Sequence, residues 1–142
     1  MVLFPQSVTY AVESLGYLAS FEPKTFIKVK NIAKDLKIPE YYLGKILTAM
    51  VKKKILISAK GPSGGVALSI DPGKLTLYKI LSALDAFEAD KGRCLLGSSL
   101  CSGRTPCPFH KEWERFQKEF KSVAQKTTLA VLSKNESRGK TR

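Results

Sequence analysis

Two amphipathic stretches meet at Lys37-Ile38-Pro39, and this corner restricts the possible folds more than any other feature of the chain. Proline lacks an N–H and fixes φ, so no helix runs through Pro39, which can serve only as a cap or in the first turn of the next helix. Before the corner, Ile32, Ala33 and Leu36 mark a short helix over about 31–37. After it, Leu43, Ile46, Leu47 and Met50 form the inner face of a helix that reaches about Lys53. The outer face of this second helix displays Tyr41, Gly44, Lys45, Thr48 and Lys52. Two helices joined by a tight corner, with a polar and basic outer face on the second, form a helix-turn-helix pattern.

The flanking segments extend that pattern. Val8, Ala11, Val12, Leu15, Leu18 and Ala19 line one face of a first helix, which Glu22-Pro23-Lys24 breaks, and Phe26, Ile27 and Val29 form a brief extended link. Two β-like runs, Ile55–Ala59 and Val66–Ile70, enclose Lys60-Gly61-Pro62-Ser63-Gly64-Gly65. Its glycines permit positive φ, so the runs read as a hairpin whose tip has little side-chain bulk and can approach another surface closely. Thr76 caps a fourth helix that buries Leu77, Ile80, Leu81 and Leu84. Phe109, Trp113, Phe116, Phe120, Val123, Thr127 and Ala130 then recur as a heptad seam, which predicts one long helix that pairs with a second copy.

Composition narrows the function. The chain has 142 residues, 44% hydrophobic and 25% charged, which is ordinary globular usage and excludes wholesale disorder. No apolar run is long enough to span a bilayer and no secretory signal pattern opens the chain, so a cytoplasmic protein without a membrane segment is expected. The net charge of +12 calls for a polyanionic partner, nucleic acid before an anionic membrane surface. Between Lys24 and Lys60, ten lysines face only Asp35 and Glu40, so the helix-turn-helix and hairpin carry most of that excess. Lys30, Lys37 and Lys52 suit phosphate contacts, while Tyr41 and Lys45 suit base edges or phosphates. Lys134–Arg142 lacks apolar periodicity and reads as a frayed basic tail.

Between Glu88 and Pro108 the hydrophobic period disappears, and a structureless loop of that length in a small domain needs something to hold it. Cys94, Cys101, Cys107 and His110, which are all the cysteines and the only histidine of the chain, lie within 17 consecutive residues. Three thiolates and an imidazole supply four protein ligands. A Cys3His zinc site is possible, although the usual C-x2-C knuckle is absent. An iron–sulfur cluster suits ligands spread along a loop. A thiol redox switch is the third use, with Arg93 and Arg104 available to lower a thiolate pKa, and burial as small hydrophobes is the plain alternative. A metal-delivery or electron-transfer protein would need the loop but not the basic helix-turn-helix. The chain offers no nucleophile–base pairing beyond this loop and no phosphate-cradling glycine loop, so an enzyme is not expected.

The motifs, taken in order, resemble the Rrf-two type winged-helix regulators of bacteria, with their IscR-like and NsrR-like branches. Tyr10-Ala11, Ile32-Ala33, Tyr42-Leu43, the Lys60–Gly65 tip, Leu75-Thr76-Leu77 and Thr127-Thr128-Leu129-Ala130 carry the resemblance. It implies a mainly α fold with a small β-hairpin: a winged helix-turn-helix domain over 1–87, a cluster-binding cysteine loop over 88–108, a dimerisation helix over 109–132 and a disordered tail over 133–142. It also implies a homodimeric repressor that binds double-stranded, pseudo-palindromic DNA through Lys30, Pro39, Tyr41, Tyr42, Lys45, Lys52, Lys60, Gly61, Ser63 and Gly64. Cys94, Cys101 and Cys107 match the family's cluster cysteines, and His110 matches the histidine that completes a 2Fe–2S site in the IscR-like branch. Thr9 stands near where NsrR-like members have an acidic ligand, so 2Fe–2S is favoured over 4Fe–4S. Pro39 replaces a serine-type cap and Gly44 a glutamate of the recognition helix, so the operator sequence does not carry over.

Overall fold

The computed structural model describes residues 5–86 and 104–139. Helix α1 (Gln6–Ala19) buries Val8, Ala11, Leu15 and Leu18 on one face. Ile27 then pairs with Val66 in an isolated antiparallel bridge, its N–H donating to the Val66 carbonyl at 3.0 Å. Val29 opens α2 (Val29–Leu36) instead of ending the extended link, because the Lys28 carbonyl already accepts from the Asn31 and Ile32 N–H groups. Lys37 closes α2 in the left-handed region at φ 58°, and the Ile38 N–H reaches back to the Ala33 carbonyl at 2.9 Å. That bond satisfies a terminal carbonyl and redirects the chain, with Ile38 buried beneath the corner. Pro39 is the N-cap of α3 (Glu40–Lys52), whose inner face buries Leu43, Ile46, Leu47 and Met50.

Strands β1 (Leu56–Ala59) and β2 (Gly65–Leu68) pair antiparallel, with Leu56 opposite Leu68 and Ala59 opposite Gly65. The glycines at the tip are required by close backbone approach. A Cβ on Gly65, where φ is 141°, would stand 2.3 Å from the Ile27 carbonyl oxygen, and one on Gly64 would stand 2.2 Å from that of Ala59. The Ile27 bridge therefore lies tight against the wing. β2 ends at Leu68, short of the expected Ile70. Thr76 caps α4 (Leu77–Ala83), its hydroxyl oxygen accepting from the Lys79 N–H at 3.2 Å. Side chains from α1, α2, α3, β1, the segment before α4 and α4 itself meet in one core, in which Leu15, Ile32, Leu43, Leu47, Met50, Ile55, Leu75 and Ile80 are fully buried.

The heptad seam does not continue as one helix over 109–132. Helix α5 (His110–Lys126) stops, and α6 (Leu129–Gly139) starts after a two-residue break. Between them Thr127 is extended at ψ 123° and Thr128 bridges Thr76. The Thr127 carbonyl accepts from Leu77, and the Leu129 N–H donates to the Leu75 carbonyl, both at 2.8 Å. Two successive β-branched residues favour extended backbone, and this short ladder draws Leu129 into the core. Thr127 and Ala130 thus matched the seven-residue period without sharing the stripe. α6 packs against α1, and α5 against α4. Because α6 runs on through Gly139, residues 133–139 are helical and the expected irregular tail is corrected there; 140–142 lie outside the described residues. No described helix is long and apolar enough to cross a membrane.

Candidate nucleic-acid interface and cysteine site

The outer face of α3 borders an open groove of about 900 Å³ lined by Val29, Glu40, Tyr41, Gly44, Lys45, Thr48, Ala49 and Lys52. Helical spacing explains the α3 members of the set, because residues three and four apart share a face and the inner residues of α3 are used by the core, while Val29 comes from the start of α2. Tyr41 is 79% exposed, and the Lys45 ammonium lies 4.7 Å from the centre of its ring. This cation–π contact ties a long cationic side chain to a rigid aromatic one above the groove. Gly44 leaves the floor open, since a Cβ there would meet nothing within 4 Å. The Thr48 hydroxyl donates to the Gly44 carbonyl at 2.7 Å, which turns its polar hydrogen inward to the helix.

The other predicted contact residues fall in different settings. Tyr42 is partly exposed, but its ring meets that of Tyr10 edge-on at 5.6 Å between centroids, so it also fastens α3 to α1. Lys30 and Lys52 are exposed on α2 and α3, and Lys60, Gly61 and Ser63 are exposed at the wing tip. Gly64 is buried, and its N–H donates to the Gly61 carbonyl at 3.0 Å, which makes it part of the turn. Val29, Glu40 and Ala49 also line the groove, three residues that the sequence pattern did not single out for this surface. The i, i+4, i+8 row of Glu40, Gly44 and Thr48 was the available signal for Glu40. One further tie holds α2 against α1. The Tyr17 hydroxyl donates to the Asp35 carboxylate at 2.5 Å, and this bond, with burial and the nearby negative charge, pushes the Tyr17 pKa up to about 12.

Of the four candidate ligands, Cys107 and His110 are described, whereas Cys94, Cys101 and Arg93 lie outside the described residues, as does most of the 88–108 loop. Cys107 is half-buried, and the His110 N–H donates to its carbonyl at 3.0 Å, so the two residues share the turn that opens α5. His110 Nε2 lies 3.2 Å from Glu114 Oε1, one helical turn on. Arg115 pairs with Glu112. Trp113 Nε1 is buried and has no hydrogen-bond partner among the described residues. The same helix carries a stripe of stacked rings: Trp113 and Phe116 at 5.5 Å, Phe116 and Phe120 at 6.4 Å between centroids. Phe116 is 45% and Val123 60% exposed, so much of this apolar stripe is uncovered.

Comparison with known proteins agrees with this geometry. Residues 4–135 match the family model Rrf2, described as an iron-dependent transcriptional regulator. A protein of Aquifex aeolicus, described only provisionally as an HTH-type transcriptional regulator, is 34% identical over 134 residues, covering 92% of this chain and 91% of its own. The transcriptional regulator IscR of Xenorhabdus nematophila is 27% identical over 127 residues, covering 89% of this chain and 76% of its own. Among solved structures, CymR, the global cysteine regulator of B. subtilis, superposes with a TM-score of 0.75 at 21% identity, over 95% of this chain and 98% of that one.

Proposed function

Because the chain belongs to the Rrf2 family of transcriptional regulators, and so is a DNA-binding regulator and not an enzyme, we propose that it is a dimeric repressor whose operator affinity is set by an iron–sulfur cluster on Cys94, Cys101, Cys107 and His110. The observation that carries this reading is one of placement: Cys107 and His110 open the same helix that bears the uncovered aromatic stripe. Occupancy of the cysteine loop and the setting of two protomers are then properties of one element.

Each part has a physical role. Two copies joined through Trp113, Phe116, Phe120 and Val123 would cover the Phe116 ring and the Val123 side chain that a monomer leaves in water, and would present two α3 helices to a pseudo-palindromic site. Tyr41 and Lys45 face the major groove, with Pro39 at the helix start. Lys30 and Lys52 hold phosphates, and Lys60, Gly61 and Ser63 approach the backbone or minor groove at the wing. Tyr42 and Gly64 support these contacts through α1 and the turn.

The residues fit a cluster in their chemistry. Thiolates and an imidazole are its usual ligands, and Cys107 stands beside the N-terminus of α5, where the helix dipole favours negative charge. The buried Trp113 Nε1–H, three residues beyond His110, requires an acceptor that the described residues do not supply. When bound, the cluster, 2Fe–2S in preference to 4Fe–4S, supplies reversible electron transfer and reactivity toward oxygen or nitric oxide. Cys107 and His110 would then hold the start of α5 against the loop, so that gain or loss of the group alters the angle at which the two winged halves meet the DNA.

The test compares anaerobically reconstituted and cluster-free protein on a duplex selected from random sequence, at matched salt. A change in affinity of tenfold or more is expected, corresponding to a coupling of about 1.4 kcal/mol or more. Equal affinities overturn the sensor reading. A colourless protein that still represses assigns the cysteines to a thiol switch or to zinc.

A further inference from the structure

Within the cluster reading just proposed, we infer that Glu114 is the positioning residue for His110, holding the Nε2 side of the imidazole so that His110 ligates through Nδ1. His110 and Glu114 are four residues apart on α5, and Nε2 and Oε1 stand at 3.2 Å. The pairing is selective among the acids of this turn, because Glu112 is engaged by Arg115 and Glu114 faces the histidine. The histidine backbone is held from the other side, by its N–H bond to the Cys107 carbonyl. Ring and main chain are thus both constrained at the residue one turn beyond the last cysteine.

The chemical consequence comes from the two nitrogens of imidazole. A neutral ring that donates from Nε2 carries its lone pair on Nδ1, and only a lone pair can bind a metal. A carboxylate accepting from the far ring nitrogen fixes the ring, makes the ligating nitrogen more basic, and typically changes metal affinity by about 10- to 100-fold. Glu114 also adds a negative charge next to the ligand, which disfavours an added electron.

Anaerobic reconstitution of the full chain, with Glu114→Ala, Glu114→Gln and His110→Ala beside wild type, provides the test. Retention against a chelator, the reduction midpoint and nitrogen hyperfine coupling in the reduced cluster are read with histidine labelled at Nδ1. Wild type is expected to show coupling to the labelled nitrogen, and His110→Ala to lose it. Glu114→Ala should release iron about 10- to 100-fold more readily. Glu114→Gln, which keeps an acceptor but not the charge, should restore retention while its midpoint moves to higher potential. Cluster-free variants should melt like wild type, because Glu114 is 58% exposed; if Glu114→Ala does not fold, the Glu114→Gln midpoint decides. Coupling through Nε2, or a midpoint and retention unchanged in the Glu114 variants, overturns the inference and leaves the cluster reading standing; a spectrum unchanged in His110→Ala overturns the inference and also removes His110 from the proposed ligand set. Failure of the wild-type protein to take up iron and sulfide overturns both.

Discussion

The winged half and α5 use apolar side chains in opposite ways. In the first, Leu15, Ile32, Leu43, Leu47 and Met50 interlock between three helices and are closed to water. In the second, Trp113, Phe116 and Phe120 stack along one helix, yet Phe116 and Val123 stay open to solvent, and Ala124 is the one residue of α5 that is buried. Both carry a regular hydrophobic period. The difference is the number of neighbouring elements among the described residues: there α3 has α1, α2 and β1 around it, while α5 packs chiefly on α4. A period identifies which side of a helix is apolar; it does not say whether the covering surface belongs to the same molecule.

The contrast is tested most forcefully at Leu47. Leu47→Ala leaves a cavity where three helices meet and should cost about 2–5 kcal/mol, read as a lower midpoint in chemical denaturation. A loss below about 1 kcal/mol would mean that the winged core is looser than its burial indicates. On α5, Phe116→Ala should weaken self-association by about 2 kcal/mol, roughly 30-fold, with the fold retained. Sedimentation equilibrium measures this, and an unchanged association constant would place the dimer contact elsewhere.

Smaller effects are expected on the surface of the winged half. Lys45→Ala should reduce duplex affinity by about 1–3 kcal/mol if Lys45 reads a base, and should lower the salt slope by about 1 if it holds a phosphate. Titrations at several salt concentrations separate the two roles, and no change in either quantity removes Lys45 from the interface. The smallest effect belongs to Tyr17. Its folded pKa of about 12 lies above the ordinary 10.0, so the stability it contributes is complete below pH 10 and lost as pH rises toward 12. Tyr17→Phe should therefore flatten the alkaline stability profile across that window while costing about 1 kcal/mol or less at neutral pH. A profile identical to wild type would show that the Asp35 bond is not maintained in solution.

Much of the fold was legible because its signals are local. Pro39 must start or precede a helix, Thr76 carries a hydroxyl suited to a cap, and the glycines of the wing tip permit the turn; each appears where that chemistry predicts. The outer face of α3 was legible for the same reason, since spacing along one helix places Tyr41, Gly44, Lys45, Thr48 and Lys52 together. Less visible were the contacts that cross the chain. Thr127 fitted a seven-residue period, but its carbonyl is claimed by Leu77, fifty positions earlier, and the helix ends there. Gly64 looked like an exposed tip residue and proved buried against Ala59. Glu114 drew no attention because its significance depends on the rotamers of two side chains, although its spacing of four from His110 was there to read.

Local chemistry along the chain was enough to specify the helix-turn-helix, the glycine wing, the basic character of that surface and the gathering of every cysteine beside the only histidine. These depend on backbone conformation, periodicity and composition, which act over a few residues. Packing in three dimensions was needed to split the seam into α5 and α6, to bring Leu129 into the winged core, to lean Tyr42 on Tyr10 and to turn Glu114 toward His110. Those outcomes turn on which of several local preferences gains a partner, and the partner comes from a distant part of the chain or from a neighbouring rotamer.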